Sequence, residues 1–247
     1  MSNAAKPVFT AQHTVPNGAV ATRWWWVRHA PVREDGGCIY GQTDIGCDCS
    51  DRAVFDAVAR ILPHNAKWFA SNLKRTHQTA NALWQAGYPK PATMPHEPAF
   101  AEQHLGEWQG LNRAAFFASR PIEVGSYWFA PIDDPAPGGE SFMDLYTRVK
   151  GAIDRINLAH AGEDVVVVAH GGTIKAALGV ALGNQPERGL AFTIDNVSVT
   201  RLDHLASPDH SGWRIPMVNQ QPWIADPSHN AMHQPSGAEP VGATKLA

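Results

Sequence analysis

Arg23-Trp24-Trp25-Trp26-Val27-Arg28-His29 and, far downstream, Val165-Val166-Val167-Val168-Ala169-His170-Gly171-Gly172 share one design in this 247-residue chain. Each is a continuous apolar run, the pattern of a strand buried on both faces in a parallel sheet. Each ends on a histidine. Ligands collect outside the carboxyl ends of such strands, so the two runs bring two imidazoles, one preceded by Arg28, to one sheet edge. A histidine at a strand end is by itself usually structural. Two of them with an arginine make a pocket suited to a phosphate and a nucleophile.

Working outward, Met1–Thr22 is polar and unpatterned and reads as an N-terminal extension (1–22), with a strand at Arg23–Val27. Residues 30–49 form a long Gly-, Asp- and Cys-rich loop, a length usually reserved for function. Ser50 is placed to cap a helix carrying Val54, Val58, Ile61 and Leu62, with Pro63 just beyond. Lys67–Ala70 reads as a short strand, and Ser71 to Thr76 leads into a helix ending near Ala86. A short helix is predicted over Asn112–Ser119, and the Pro- and Gly-rich stretch Tyr127–Gly139 reads as loop or lid. Ser141, with Asp144 three residues on, caps a helix whose inner face is Leu145, Val149, Ile153 and Ile156.

After the Val165 strand come a helix from about Thr173 to Leu182 and a terminal hairpin, 196–204 with 212–218, around Ser207-Pro208-Asp209. Strands alternating with helices predict an α/β fold: one catalytic domain over 23–218, a three-layer α/β/α sandwich with a mostly parallel central sheet. Residues 219–247 read as a C-terminal tail, rich in His, Pro, Ser, Gly and Ala beyond Asp226.

Composition narrows the partners. Net charge is −3 with no dense Lys/Arg block, so neither nucleic acid nor an anionic membrane is the expected partner. No stretch approaches the ~20 apolar residues of a membrane helix, and residues 1–22 lack a secretory pattern, so a cytoplasmic protein is expected. Cys38, Cys47 and Cys49 include no Cys-x-x-Cys pair, which argues against zinc, and they read as reduced loop thiols. No metal and no cofactor are expected. A small phosphorylated metabolite is the expected partner, and oligomeric state, monomer or homodimer, stays open.

Several further segments complete the set. Val27-Arg28-His29, Ser71-x-Leu73-x-Arg75-Thr76-x-Gln78-Thr79-Ala80, Glu102 with Gly106-x-Trp108-x-Gly110, Pro137-Gly138-Gly139-Glu140-Ser141 and Ala169-His170-Gly171-Gly172 occur in that order. Over roughly residues 23–204 the chain resembles the histidine phosphatase superfamily, the group containing the cofactor-dependent phosphoglycerate mutases. The resemblance implies a phosphoglycerate mutase-like fold, a nucleophile at His29, phosphate binding by Arg28, Arg75 and His170, and catalysis by Glu102 and His170. The residue types suit the chemistry. Two guanidinium forks match phosphate oxygens, a neutral imidazole at His29 can attack phosphorus, and a protonated His170 would stabilise the transferring oxygens. Glu102 would act as acid and then base, with Glu107 a nearby competitor. Gly171-Gly172 would let the chain turn beside His170.

The chain also departs from the family pattern. Arg28-His29-Ala30-Pro31-Val32 stands where Arg-His-Gly-x-Thr is usual, with no asparagine a few residues on. Gln42 is a candidate to replace that amide, while His104 and Asn196 are further candidate substrate contacts and Ser198 a polar neighbour. Only residues 111–136 separate Gly110 from Pro137, shorter than the covering insertion a mutase needs. The expectation is a metal-independent phosphomonoester hydrolase, with phosphoglycerate mutase-type transfer or a non-catalytic phospho-ligand binder as alternatives. Candidate substrates are sugar phosphates, phosphoglycerates, nucleotides and α-ribazole phosphate. Trp128, Phe129, Phe116 and Phe117 are placed to touch an apolar leaving group.

Overall fold

The computed structural model describes residues 15–16, 18–120 and 129–225. Its centre is a five-stranded sheet in the order β2-β3-β1-β4-β5. The strands are β1 (Val20–Arg28), β2 (Lys67–Ala70), β3 (Asp164–Ala169), β4 (Val199–Ala206) and β5 (Ser211–Gln220). β3 lies parallel to both β1 and β2, whereas β4 runs antiparallel to β1 and β5 antiparallel to β4. The sheet is therefore parallel in one half and antiparallel in the other, rather than parallel in the main. The short link between β4 and β5 makes that pair antiparallel, since a tight hairpin can join only antiparallel strands, while the direction of β4 beside β1 is set by where the chain returns to the sheet after α6.

Helices cover both faces: α1 (Arg52–Ile61), α2 (Lys74–Gln85), α3 (Arg113–Ala118), α4 (Phe142–Ala159), α5 (Gly171–Ala181) and α6 (Pro186–Leu190). The pleat of β1 sorts its side chains between two cores. Trp24 and Trp26 turn toward α4 and α5, stacked with ring centroids 5.4 Å apart and closed at the edge by Phe100. Trp25 and Val27 turn the other way, toward α1 and α2. Two tryptophans also gain a partner for the indole N–H, Trp24 from Asn157 Oδ1 and Trp25 from Asp164 Oδ1. The tryptophan run is thus the spine of a three-layer sandwich.

Local signals mostly land within a residue or two. Ser141 and Asp144 form the expected capping box on α4. β1 starts at Val20, three residues before the predicted strand. Asp51, not Ser50, caps α1: its carboxylate accepts from Val54 N–H, because the helix starts one residue later than the pattern indicated. Loop 30–49 carries no strand or helix, only an isolated bridge from Cys38 to Asn112. Trp128 and the segments 1–14 and 226–247 lie outside the described residues. No helix among the described residues is long and apolar enough to cross a membrane.

Candidate active site

β1 and β3 are neighbours in register, with Arg28 opposite Ala169, so His29 and His170 leave the sheet side by side. Their ring centroids are 5.1 Å apart, and both residues are buried, at 1% and 0% exposure. His29 Nδ1 lies 2.7 Å from the carbonyl oxygen of Ala30. A carbonyl only accepts, so the ring proton sits on Nδ1 and Nε2 keeps its lone pair. Burial, reinforced by the charges of Arg28 and Arg75, holds the His29 pKa well below its ordinary value. The imidazole is therefore neutral, with its free nitrogen available as a nucleophile.

His170 has the opposite tautomer. Arg75 Nε donates to its Nδ1 at 3.2 Å, so the proton is on Nε2, which donates to Ser71 Oγ at 2.8 Å. Burial first, then Arg75, pushes its pKa well down. His170 is neutral in this structure, and the protonated form considered from the sequence needs the negative charge of a phosphate beside it.

The two arginines sit differently. Arg75, on the first turn of α2, is completely buried. Its fork is held by the carbonyls of Thr43 (2.9 Å) and Gly41 (2.7 Å) in loop 30–49, and it lies over the Tyr40 ring. Desolvation lowers its pKa, while the negative charge of Glu102 is foremost among the influences raising it again. Arg28 donates through Nη1 to Ile194 O at 2.6 Å, but its Nε is buried with no hydrogen-bond partner among the described residues. An unpaired buried guanidinium N–H is costly unless a ligand oxygen completes it.

Glu102 stands over the start of α5. Its Oε1 accepts from the backbone N–H of Gly172 at 3.1 Å and of Gln103 at 3.0 Å. A Cβ on Gly172 would come within 2.4 Å of that oxygen. Neither Gly171 nor Gly172 adopts a left-handed backbone, so the pair does not serve the sharp turn expected of it; the second glycine makes room for the carboxylate. Glu107, the competitor, is exposed on a 3-10 turn away from the cavity wall.

Of the weaker candidates, Asn196 comes closest to the centre: its Nδ2 donates to His29 O at 2.8 Å, and it lines the cavity described below. It is presented by a turn in which Ser198 N–H reaches Asp195 O and Val197 has φ +61°. A β-branched residue in the left-handed region is strained, and the turn is held by Val197 N–H on Arg28 O. Gln42 lies off the cavity wall, its Nε2 donating to the backbone oxygen of Glu102 at 2.8 Å. His104 also lies off that wall, its backbone tied to Glu140. Ser198 is buried, its hydroxyl without a hydrogen bond among the described residues.

Three supporting residues were not foreseen. Ser71 fixes the His170 tautomer, and Thr79 Oγ1 accepts from Ala30 N–H at 2.8 Å just beyond β1 and His29. Arg148 on α4 holds the carbonyls of Ala99, Ala101 and Glu102 while pairing in bidentate fashion with Glu140. Ser71 and Thr79 lie in a quoted motif, and Glu140 in another. Nothing local in the sequence ties Arg148 to a chain segment more than forty residues away.

Above this cluster opens a cavity of about 410 Å³. Arg28, Glu102 and Asn196 line it, whereas His29, Arg75 and His170 lie off its lining; much of the rest of the wall is apolar: Ile39, Leu105, Trp108, Phe116, Phe117 and Phe129. The cation on that wall, Arg113, pairs with Asp35 and donates to Cys38 O at 2.6 Å. One end of the site thus offers charge for a phosphoryl group, the other an apolar surface.

Comparison with known proteins identifies relatives of the chain and of its fold. A "phosphoglycerate mutase-like protein 4" from Arabidopsis thaliana is 33% identical over 143 residues, 56% of this chain and 61% of its own length. "Phosphoserine phosphatase 1" from Hydrogenobacter thermophilus is 29% identical over 130 residues, 53% of this chain and 60% of its own. The chain thus spans under two thirds of these curated relatives. A solved mycobacterial glucosyl-3-phosphoglycerate phosphatase superposes with a TM-score of 0.65 at 27% identity, covering 81% of this chain and 99% of that one. The family model for the histidine phosphatase superfamily (branch 1) matches residues 24–221, from the tryptophan strand through the last strand of the sheet, and the chain belongs to that superfamily.

Proposed function

We propose that this protein is a metal-independent phosphomonoesterase working through a phosphohistidine on His29, with substrates whose leaving group is apolar or aromatic. The observation that carries the reading is the His29 tautomer: a buried, neutral ring with Nδ1 spent on Ala30 O, beside the unpaired Nε of Arg28. In the first step Nε2 attacks phosphorus, the P–O bond to the leaving alcohol breaks, and Glu102, which takes up a proton as the ester's negative charge comes to lie beside it, passes that proton to the leaving oxygen. Arg28 and Arg75 hold the non-bridging oxygens, and His170 gains a proton-stabilising partner as the dianion arrives. In the second step Glu102 takes a proton from water, which attacks the phosphohistidine and frees inorganic phosphate and His29.

Relatives of both kinds occur; hydrolysis is favoured over transfer because only residues 111–136 separate Gly110 from Pro137, a short span for the covering segment that transfer needs. The leaving-group preference comes from the aromatic wall and from Arg113, whose charge is already matched by Asp35. The test is phosphate release from a panel of esters in excess chelator, with acid-labile label on the protein trapped during turnover. His29→Ala is expected to lower kcat at least ~10³-fold, as loss of a covalent nucleophile does, and to trap no label. A His29→Ala protein retaining most of its turnover would overturn the assignment.

A further inference from the structure

Loop 30–49 holds a second chemical feature beside the arginine that its carbonyls grip. Cys47 and Cys49 are free thiols with sulfur atoms 3.6 Å apart. Cys47 Sγ lies 3.3 Å from the backbone oxygen of Arg75 and 3.7 Å from Thr79 Oγ1, the hydroxyl that receives Ala30 N–H. Asp48, between the cysteines, donates its N–H to Pro31 O at 2.7 Å. The pair therefore touches both sides of the phosphate cluster, Arg75 and the segment just after His29.

We infer that Cys47 and Cys49 form a reversible intramolecular disulfide under peroxide, and that its closure weakens phosphate binding at Arg75. The second clause rests on the phosphate-site reading above; the first does not. Cys47 is the attacking sulfur. The contact between the two thiols is the main influence lowering its pKa, with Thr79 and the positive charge of Arg75 adding to it against burial. Cys49, itself part-buried, is shifted upward by the same contact and by burial.

The Cys47 thiolate attacks one oxygen of hydrogen peroxide. An S–O bond forms, the O–O bond breaks, and hydroxide leaves to take a proton from solvent. Sulfur loses two electrons and becomes a sulfenic acid. With the negative charge on Cys47 gone, Cys49 attacks the sulfenic sulfur: the S–S bond forms, the S–O bond breaks, and the hydroxyl departs with the Cys49 proton as water. The sulfurs must close from 3.6 Å to about 2.05 Å. That movement falls on residues whose neighbours hold Arg75 and Pro31. A ring this small is strained, which places such a bond among the readily reduced ones.

The experiment exposes reduced protein to hydrogen peroxide, alkylates the remaining thiols and maps the peptides by mass. The expected result is a Cys47–Cys49 peptide lighter by two hydrogen atoms, with Cys38 alkylated as the internal control and full reversal by dithiothreitol. In Cys49→Ser, dimedone should tag Cys47. Three alkylated thiols after peroxide, or a linkage through Cys38 or between chains, would overturn the disulfide. A second arm titrates inorganic phosphate calorimetrically: its Kd should rise at least about fivefold on oxidation and recover on reduction. A disulfide that leaves the Kd unchanged overturns the coupling. Reduced protein that fails to bind phosphate counts against the phosphate-site reading, while the mass map still decides the linkage.

Discussion

His29 and His170 stay neutral in the folded protein because burial and the nearby guanidinium groups oppose a second ring proton. In the unfolded chain both take a proton near pH ~6.5. Below that pH the unfolded state binds more protons, so stability is full above it and falls as the pH is lowered. Each ring contributes a loss approaching ~1.4 kcal/mol per pH unit, or about 2 kcal/mol at pH 5. Urea midpoints at pH 7, 6 and 5 should therefore drop, and His170→Asn should flatten the slope while lowering the starting value. Equal slopes in the two proteins would mean that His170 takes up its proton in the folded state. The same neutrality means that kcat/KM should not decline between pH 7 and 6 for want of a free Nε2.

At the level of elements, the start of α5 is shaped around a carboxylate. Gly172→Ala keeps a helical backbone but sets its Cβ 2.4 Å from Glu102 Oε1, the movable end of a side chain. Stability should change by under about 1 kcal/mol, since a flexible neighbour can shift. Turnover of alkyl phosphates should fall at least ~10-fold, as for a displaced general acid, and that of nitrophenyl phosphate far less. Equal loss on both substrates would argue against the acid role; Glu102→Gln should repeat the pattern. Such a tight spot contrasts with Gly106, where φ is +45° and a Cβ would strike the backbone oxygen of Pro137 at 2.0 Å. There a substitution damages folding rather than chemistry.

These elements also show what was legible in the residues. Strand ends, Arg75, Glu102 and the α4 capping box announce themselves through apolar runs, motif order and cap chemistry, all local signals. Arg148 did not, because its partners lie on a distant loop. The antiparallel half of the sheet was under-read although its hairpin was located, since pairing direction with β1 depends on topology, not on the strand's own sequence. Gly172 was read as a turn residue because sequence cannot distinguish a need for φ freedom from a need for space.

For the molecule as a whole, the proposed function makes the mixed charged and apolar lining of one cavity the selector of the leaving group. Aryl and alkyl phosphates should show higher kcat/KM than phosphoserine or 3-phosphoglycerate. Phe117, 38% exposed and in edge contact with Phe116 and Phe129, is the wall residue that can be trimmed with little harm to the fold. Phe117→Ala should raise KM for an aryl ester about 5- to 10-fold with kcat nearly kept, the loss of roughly 1–1.4 kcal/mol of ring contact. A preference for anionic leaving groups, unchanged in Phe117→Ala, would shift the substrate to the carboxylated phosphates. Chelator should leave all of these rates intact.

β1 is the strand at which the sheet changes direction, parallel to β3 on one side and antiparallel to β4 on the other. The chain leaves β1 and β3 at the edge where it enters β4, so the Asp195–Ser198 turn arrives at the carbonyl of His29 from the opposite sense of travel. The edge that carries His29 and His170 is thus stitched by the inbound β4 and the outbound β1, β2 and β3, while the far tip of the β4–β5 hairpin lies away from all of these junctions. Extra residues spliced in at Ser207–His210 should leave the enzyme working, and the same cassette between Asp195 and Ser198 should silence it even if the protein still folds. The place where the sheet reverses is where the architecture has least tolerance for a longer thread.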